Sequence, residues 1–119
     1  MATVMVVDDV AAHSKAISRL LKMEGYDVVC ERNGKEAIEV AKQIKPDVIT
    51  LDLSMPVMNG LRAASELRML FPTTPIILFT LYGDSLSKTT ASEAGVSLVL
   101  PKTVPLSTLI DTAYELMGN

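Results

Sequence analysis

The chain has 119 residues, 49% hydrophobic and 21% charged, with a single cysteine and a net charge of −3. That composition fits one globular domain over residues 1–119 with a core of its own, and it argues against disorder and low complexity. Lysines and arginines are scattered singly, Met1-Ala2-Thr3-Val4 lacks the basic residues and long apolar core of a signal peptide, no apolar run reaches membrane length, and Cys30 has no second thiol, so the expectation is a cytoplasmic protein that binds neither nucleic acid nor membrane.

Val4 to Val7 is a continuous apolar run rich in branched residues, the mark of a parallel strand buried on both faces, and Asp8 and Asp9 follow it. Ile17, Leu20 and Leu21 recur at helical spacing up to Gly25, a natural left-handed stop. Val28 to Cys30, flanked by Asp27 and Glu31, reads as an edge strand. Asn33 stands three residues before Glu36, the capping-box spacing. It opens a second helix that buries Ala37, Ile38, Val40 and Ala41 and ends at Pro46. Val48 to Leu51 is the next buried strand, followed by Asp52, and Asn59-Gly60 opens a third helix carrying Leu61, Ala64, Leu67 and Leu70.

Ile76 to Phe79 is a fourth strand with Thr80 at its end. A helix from roughly Ser85 to Ala94, stopping at Gly95, is the weakest, because serines and threonines are poor helix formers and its apolar face is thin. As a marginal element beside a candidate site it is a candidate moving part. Leu98 to Leu100 forms a fifth strand leading to Lys102, and Leu109, Ile110, Ala113 and Leu116 mark a fifth helix. Met5, Met23 and Met58 read as core filler, and Cys30 as a packing residue rather than a redox centre.

Strict alternation of strand and helix predicts a three-layer α/β fold with a parallel sheet and right-handed crossovers. Neighbouring parallel strands place their carboxyl ends along one edge, so Asp8, Asp9, Asp52, Thr80 and Lys102 are expected to share a pocket. Three crowded carboxylates need a compensating charge, and an oxygen-only ligand set suits Mg²⁺ shared with a phosphate. Lys102 supplies a compact positive charge and Thr80 a hydroxyl donor, while Asp52, at the end of the central strand, is best placed to attack phosphorus.

Val-Val-Asp8-Asp9, the run from Asp52 through Met55-Pro56 to Asn59-Gly60, Phe79-Thr80 and Pro101-Lys102 together resemble the receiver domain of two-component response regulators, over the whole chain. The resemblance implies a flavodoxin-like fold, a five-stranded parallel sheet in the order 2-1-3-4-5 with five helices. It implies that Asp52 is the phosphoacceptor, that Asp8, Asp9 and the backbone carbonyl of Ser54 hold Mg²⁺ with Asp52, that Lys102 binds the phosphoryl group, and that Thr80 reads it out. The implied partners are a sensor histidine kinase or phosphotransfer protein and a downstream effector, with a homodimer formed on phosphorylation as one output. The implied role is a signalling switch, not a metabolic enzyme.

Several residues depart from the family pattern. Leu81 stands where a small residue is usual, Val99 replaces an aromatic residue, and Thr103 follows Lys102 where many relatives have a proline in a cis bond, so no cis bond is expected there. Leu81 is expected to narrow access to Asp52 and slow turnover, and Tyr82 to shield the phosphoryl group from water. His13 lacks the flanking pattern of a four-helix-bundle phosphotransfer protein and reads as an exposed helix residue near the kinase-docking face. An aspartyl-phosphate hydrolase would want a second acid at Ser54, and a flavodoxin would need a phosphate loop where Asp8 and Asp9 stand. A receiver that works by protein contact alone is the remaining alternative. The chain ends just after the fifth helix with no output domain attached, as expected of a stand-alone regulator or an excised receiver.

Overall fold

Each apolar run becomes a strand and each amphipathic run a helix in the computed structural model, which describes residues 2–81 and 86–118. Strands β1 (Thr3–Val7), β2 (Asp27–Glu31), β3 (Val48–Leu51), β4 (Ile76–Thr80) and β5 (Leu98–Pro101) form a single parallel sheet in the order β2-β1-β3-β4-β5. Helices α1 (Ala11–Met23), α2 (Gly34–Ile44), α3 (Gly60–Leu70), α4 (Lys88–Glu93) and α5 (Leu106–Leu116) occupy the crossovers. This is the flavodoxin-like architecture.

Strand side chains point alternately to opposite faces, and this divides the core in two. Met5, Val7, Ile49, Leu51, Ile76 and Leu78 pack against α2, α3 and α4, largely on their alanines. Val4, Val6, Val48, Ile77 and Phe79 pack against α1 and α5 through Ile17, Leu21, Leu109, Ile110 and Ala113. Both faces of β1, β3 and β4 are therefore dry, which is why their sequences are continuously apolar. β2 lies at one edge of the sheet, with Asp27 and Cys30 exposed.

Local chemistry fixes the helix ends. Gly25, with φ +92°, follows α1, and the Asn33 side chain accepts from the Glu36 amide at 2.9 Å to open α2. Lys45 takes the left-handed conformation, φ 50°, at the end of α2, just before Pro46. Arg68 ties two helix ends together: its guanidinium donates to the Phe71 carbonyl at 2.9 Å and to the Gly95 carbonyl at 2.9 and 3.1 Å.

Three expectations change. The helix predicted from roughly Ser85 to Ala94 is the shorter α4, because the Ser87 hydroxyl accepts from the Thr90 amide at 3.0 Å and starts it there; Ser85 itself lies outside the described residues. On α3 the buried stripe is Gly60, Ala63, Ala64 and Leu67, so Ala63 is inside while Leu70, at the fraying end, is exposed. Met23 is also exposed and fills no core. No helix among the described residues is long and apolar enough to cross a membrane.

Candidate functional site

The site forms where the sheet's hydrogen-bond ladder runs past the strand ends. The Asp8 amide donates to the Glu31 carbonyl at 3.1 Å, the Asp52 amide to the Val7 carbonyl at 3.0 Å, and the Lys102 amide to the Thr80 carbonyl at 2.9 Å. Residues from four strands are thereby fixed at one edge, as the alternation predicted.

Asp8 and Asp52 are buried, and Asp9 is exposed at the rim. Lys102 lies between the two buried acids, its side chain 6% exposed, with Nζ 2.7 Å from Asp8 Oδ2 and 3.1 Å from Asp52 Oδ2. Backbone amides hold the opposite carboxylate oxygens: Val10 N–H donates to Asp8 Oδ1 at 2.9 Å, and Ser54 N–H to Asp52 Oδ1 at 3.4 Å. The Ser14 hydroxyl donates to the Asp8 carbonyl at 3.3 Å. Thr80 is wholly buried at the end of β4.

One ammonium balances one of the three carboxylates, and the remaining negative charge favours a cation. One oxygen from each of Asp8, Asp9 and Asp52 lies within 4.8 Å of the others. A set of hard oxygen donors with one side open to water fits Mg²⁺, which keeps several waters and shares its sphere with phosphate.

The segment between β3 and α3 shapes the floor of this pocket. Asn59 caps α3 by accepting from the Arg62 amide at 3.0 Å, and the Gly60 amide donates to the Leu53 carbonyl at 2.8 Å. A Cβ on Gly60 would overlap the Asp52 carbonyl oxygen and lie 2.9 Å from Leu53 Cα. Only glycine lets the helix start this close to the end of β3. Val57 sits in the same loop with φ 70°, spanned by a Met58 N–H to Pro56 carbonyl bond of 2.7 Å, a γ-turn that strains a β-branched residue.

A receiver-domain family model, response regulator receiver domain, matches residues 4–114. The chain belongs to this family. Among its relatives, chemotaxis protein CheY of Thermotoga maritima is 33% identical over 109 residues, covering 91% of this chain and 91% of that one. Protein-glutamate methylesterase/protein-glutamine glutaminase 1 of Vibrio vulnificus is 42% identical over 105 residues, 83% of this chain; the match spans only 27% of that protein's length. The solved structure of the Vibrio cholerae chemotaxis response regulator CheY4 superposes with a TM-score of 0.90 at 31% identity, covering 98% of both chains. TrrA of Thermotoga maritima, solved in complex with Mg²⁺-BeF, superposes with a TM-score of 0.88 at 29% identity, covering 98% of this chain and 99% of that one. This receiver domain is thus a signalling module.

His13 is the site residue that sequence reasoning missed. Its side chain is 41% exposed, but Nδ1 lies 2.8 Å from Lys102 Nζ and 3.6 Å from Asp8 Oδ2, inside the charged cluster rather than away from it. The signal that could have found it is its place in the first turn of α1, which begins two residues after Asp9 and turns the side chain back over the strand ends. Leu81 is exposed and lines a groove of about 200 Å³ together with His13, Phe79, Lys102 and Leu106. Val99 is half-buried against the α2–α4 side of the core. Tyr82 lies outside the described residues. The Lys102-Thr103 bond is trans, like every other described peptide bond.

Proposed function

We propose that this receiver accepts a phosphoryl group on Asp52 from the phosphohistidine of a partner kinase or phosphotransfer protein. The observation that carries this reading is the geometry of Lys102, which bridges Asp8 and Asp52 at 2.7 and 3.1 Å with Asp9 alongside at the open rim. An Asp52 carboxylate oxygen attacks phosphorus, the O–P bond forms as the donor's P–N bond breaks, and the electron pair leaves with the imidazole. The Lys102 ammonium donates to a phosphoryl oxygen and offsets charge as the bond forms. The Thr80 hydroxyl, at the end of β4, donates to another and couples the event to the surface of α4, β5 and α5.

Asp8, Asp9, Asp52 and the Ser54 carbonyl would hold Mg²⁺, which when bound neutralises the acids and the incoming phosphoryl oxygens. The Val10 and Ser54 amides hold one oxygen of Asp8 and one of Asp52 in place. The resulting conformational shift is read by a downstream effector or a second copy of the domain. The lone, unpaired Cys30 is consistent with a cytoplasmic setting.

The test is intact-mass spectrometry after incubation with acetyl phosphate and Mg²⁺. One phosphoryl adduct is expected on the parent chain and none on Asp52→Asn. A parent chain that gains no adduct from acetyl phosphate or from a cognate kinase refutes the phosphoacceptor assignment.

A further inference from the structure

We propose that the open edge of β2 and the basic groove beside it dock an extended acidic segment of a partner protein, which joins the sheet as a further strand. The inference goes beyond the chemistry at Asp52 and does not depend on it.

β2 pairs only with β1, so its second edge is unpaired among the described residues. The Asp27 amide donates inward to the Ala2 carbonyl at 3.0 Å, and the Glu31 carbonyl accepts inward from the Asp8 amide at 3.1 Å. Alternate residues of a strand turn their N–H and C=O to opposite edges, so Val28 and Cys30, lying between these two, point theirs outward. Such an edge is a template for another strand.

The two faces beside this edge differ in charge. Val28 and Cys30 lie level with Val4 and Val6, on the face covered by α1. There a groove of about 690 Å³ between α1 and β2 is lined by Lys15, Arg19, Lys22 and Arg32. The first three recur at i, i+4 and i+7 on one stripe of α1, and none of the four has an ion pair among the described residues. They are four of the chain's 11 lysines and arginines, gathered at one groove of a protein with net charge −3. The acids lining this groove are Asp8, already held by Lys102, and Glu31. On the α2 face, a groove of about 460 Å³ carries Glu31, Glu36 and Glu39 beside Val40 and Val57, with Lys35 as its one lining cation.

Strand periodicity turns that contrast into a sequence pattern for the occupant. An added strand sends alternate side chains to each face. Acids at every second position meet the cations of α1 and Arg32, while apolar residues between them meet Val40 and Val57 and bring no further carboxylate to Glu31, Glu36 and Glu39. A second copy of this chain fits less well. Antiparallel pairing of two β2 edges keeps each face of the sheet continuous, which sets Lys15, Arg19 and Lys22 of one copy against the same cations of the other.

The probe is a short blocked peptide of alternating glutamate and valine, titrated into the ¹⁵N-labelled parent chain at low ionic strength, with shifts and amide exchange followed by NMR. Saturable shifts are expected at Lys15, Arg19 and Lys22 and along β2. Exchange should slow at Val28 and Cys30, whose amides gain acceptors, with little change at Val29, which faces β1. Arg19→Glu with Lys22→Glu should weaken binding about tenfold, whereas Arg62→Glu with Lys88→Glu, the same charge change on α3 and α4, should bind like the parent. All four substituted residues are exposed, so both variants keep the fold. A peptide alternating lysine and valine should not bind at this edge. Absence of binding by the acidic peptide, binding without slowed exchange at Val28 and Cys30, or equal loss in the two double variants overturns the proposal. So does a parent chain that self-associates in analytical ultracentrifugation with Val28 and Cys30 already protected before peptide is added.

Discussion

Lys102, just past β5, donates to Asp8 Oδ2, just past β1, at 2.7 Å, closer than its 3.1 Å approach to Asp52. The domain's resting charge balance thus hangs on a pair that spans 94 positions of the chain and crosses the sheet at its carboxyl edge. A cation or a phosphoryl group entering this pocket would meet an internal cation that is already engaged, so its binding would exchange partners instead of filling a vacancy.

Removing that internal cation should be costly. Lys102→Met leaves Asp8 and Asp52 buried without their shared counter-charge, and breaking a buried pair by deleting one member typically costs about 3 to 5 kcal/mol. Urea denaturation in EDTA should show a loss toward the lower end of that range, since Asp8 and Asp52 keep their amide bonds to Val10 and Ser54. Added Mg²⁺ should recover part of the loss, because it replaces the missing positive charge.

Asp9 should behave in the opposite sense. It is the exposed member of the acid cluster and the only one of the three without an ion pair among the described residues, so it adds repulsion when no cation is bound. Asp9→Asn is expected to raise the melting temperature slightly in EDTA and to reduce the gain in melting temperature that Mg²⁺ produces. The Mg²⁺ concentration for half-maximal stabilisation should rise by about tenfold or more if Asp9 is the direct ligand proposed above.

Gly60→Ala tests the close approach of α3 to the end of β3. The added Cβ collides with backbone atoms of Asp52 and Leu53, which have no rotamer to escape into. A loss of about 2 to 3 kcal/mol is expected in chemical denaturation, with slower phosphoryl uptake because Asp52 must shift. Gly25→Ala is the contrast: nothing lies within 4 Å of its Cβ, and only the left-handed φ of +92° opposes it, for about 1 kcal/mol.

Val57 stores strain in the same loop. A β-branched residue at φ 70° is disfavoured by about 1 to 2 kcal/mol relative to glycine, partly offset by glycine's greater chain entropy. Val57→Gly should therefore stabilise the domain by about 0.5 to 1 kcal/mol in denaturant titrations.

The sequence carried the sheet well, because β1, β3 and β4 are buried on both faces and leave uninterrupted apolar runs that nothing else in the chain imitates. The polar residues ending those runs named the pocket for the same reason: parallel strands leave their carboxyl ends side by side. Helix phase was less legible. Leu70 keeps the apolar spacing of α3 but falls where the chain turns away at Phe71, and the small side chain of Ala63 hides how tightly α3 packs on Gly34. His13 was missed because periodicity alone does not say which face of the first turn of α1 looks back over the strand ends. The strain at Val57 leaves no local trace, since nothing in Pro56-Val57-Met58 announces a positive φ.

Cys30 should be a sluggish nucleophile despite its place on an edge strand. Although Cys30 is an exposed residue, partial desolvation of its thiol beside α1 pushes the pKa up, outweighing a Ser18 hydrogen bond and the Lys22 charge that pull it down. The thiolate is the reacting species, so at neutral pH iodoacetamide should alkylate Cys30 more slowly than a free cysteine peptide, and the rate should catch up only as the pH rises through the elevated pKa. Lys22→Ala removes a lowering influence and should slow the reaction further at fixed pH, whereas Glu31→Gln removes a raising one and should speed it. Alkylation followed by intact mass across the alkaline range checks the order of the three rates. A parent chain that reacts as fast as the free peptide at neutral pH would show that the groove between α1 and β2 leaves the sulfur fully hydrated.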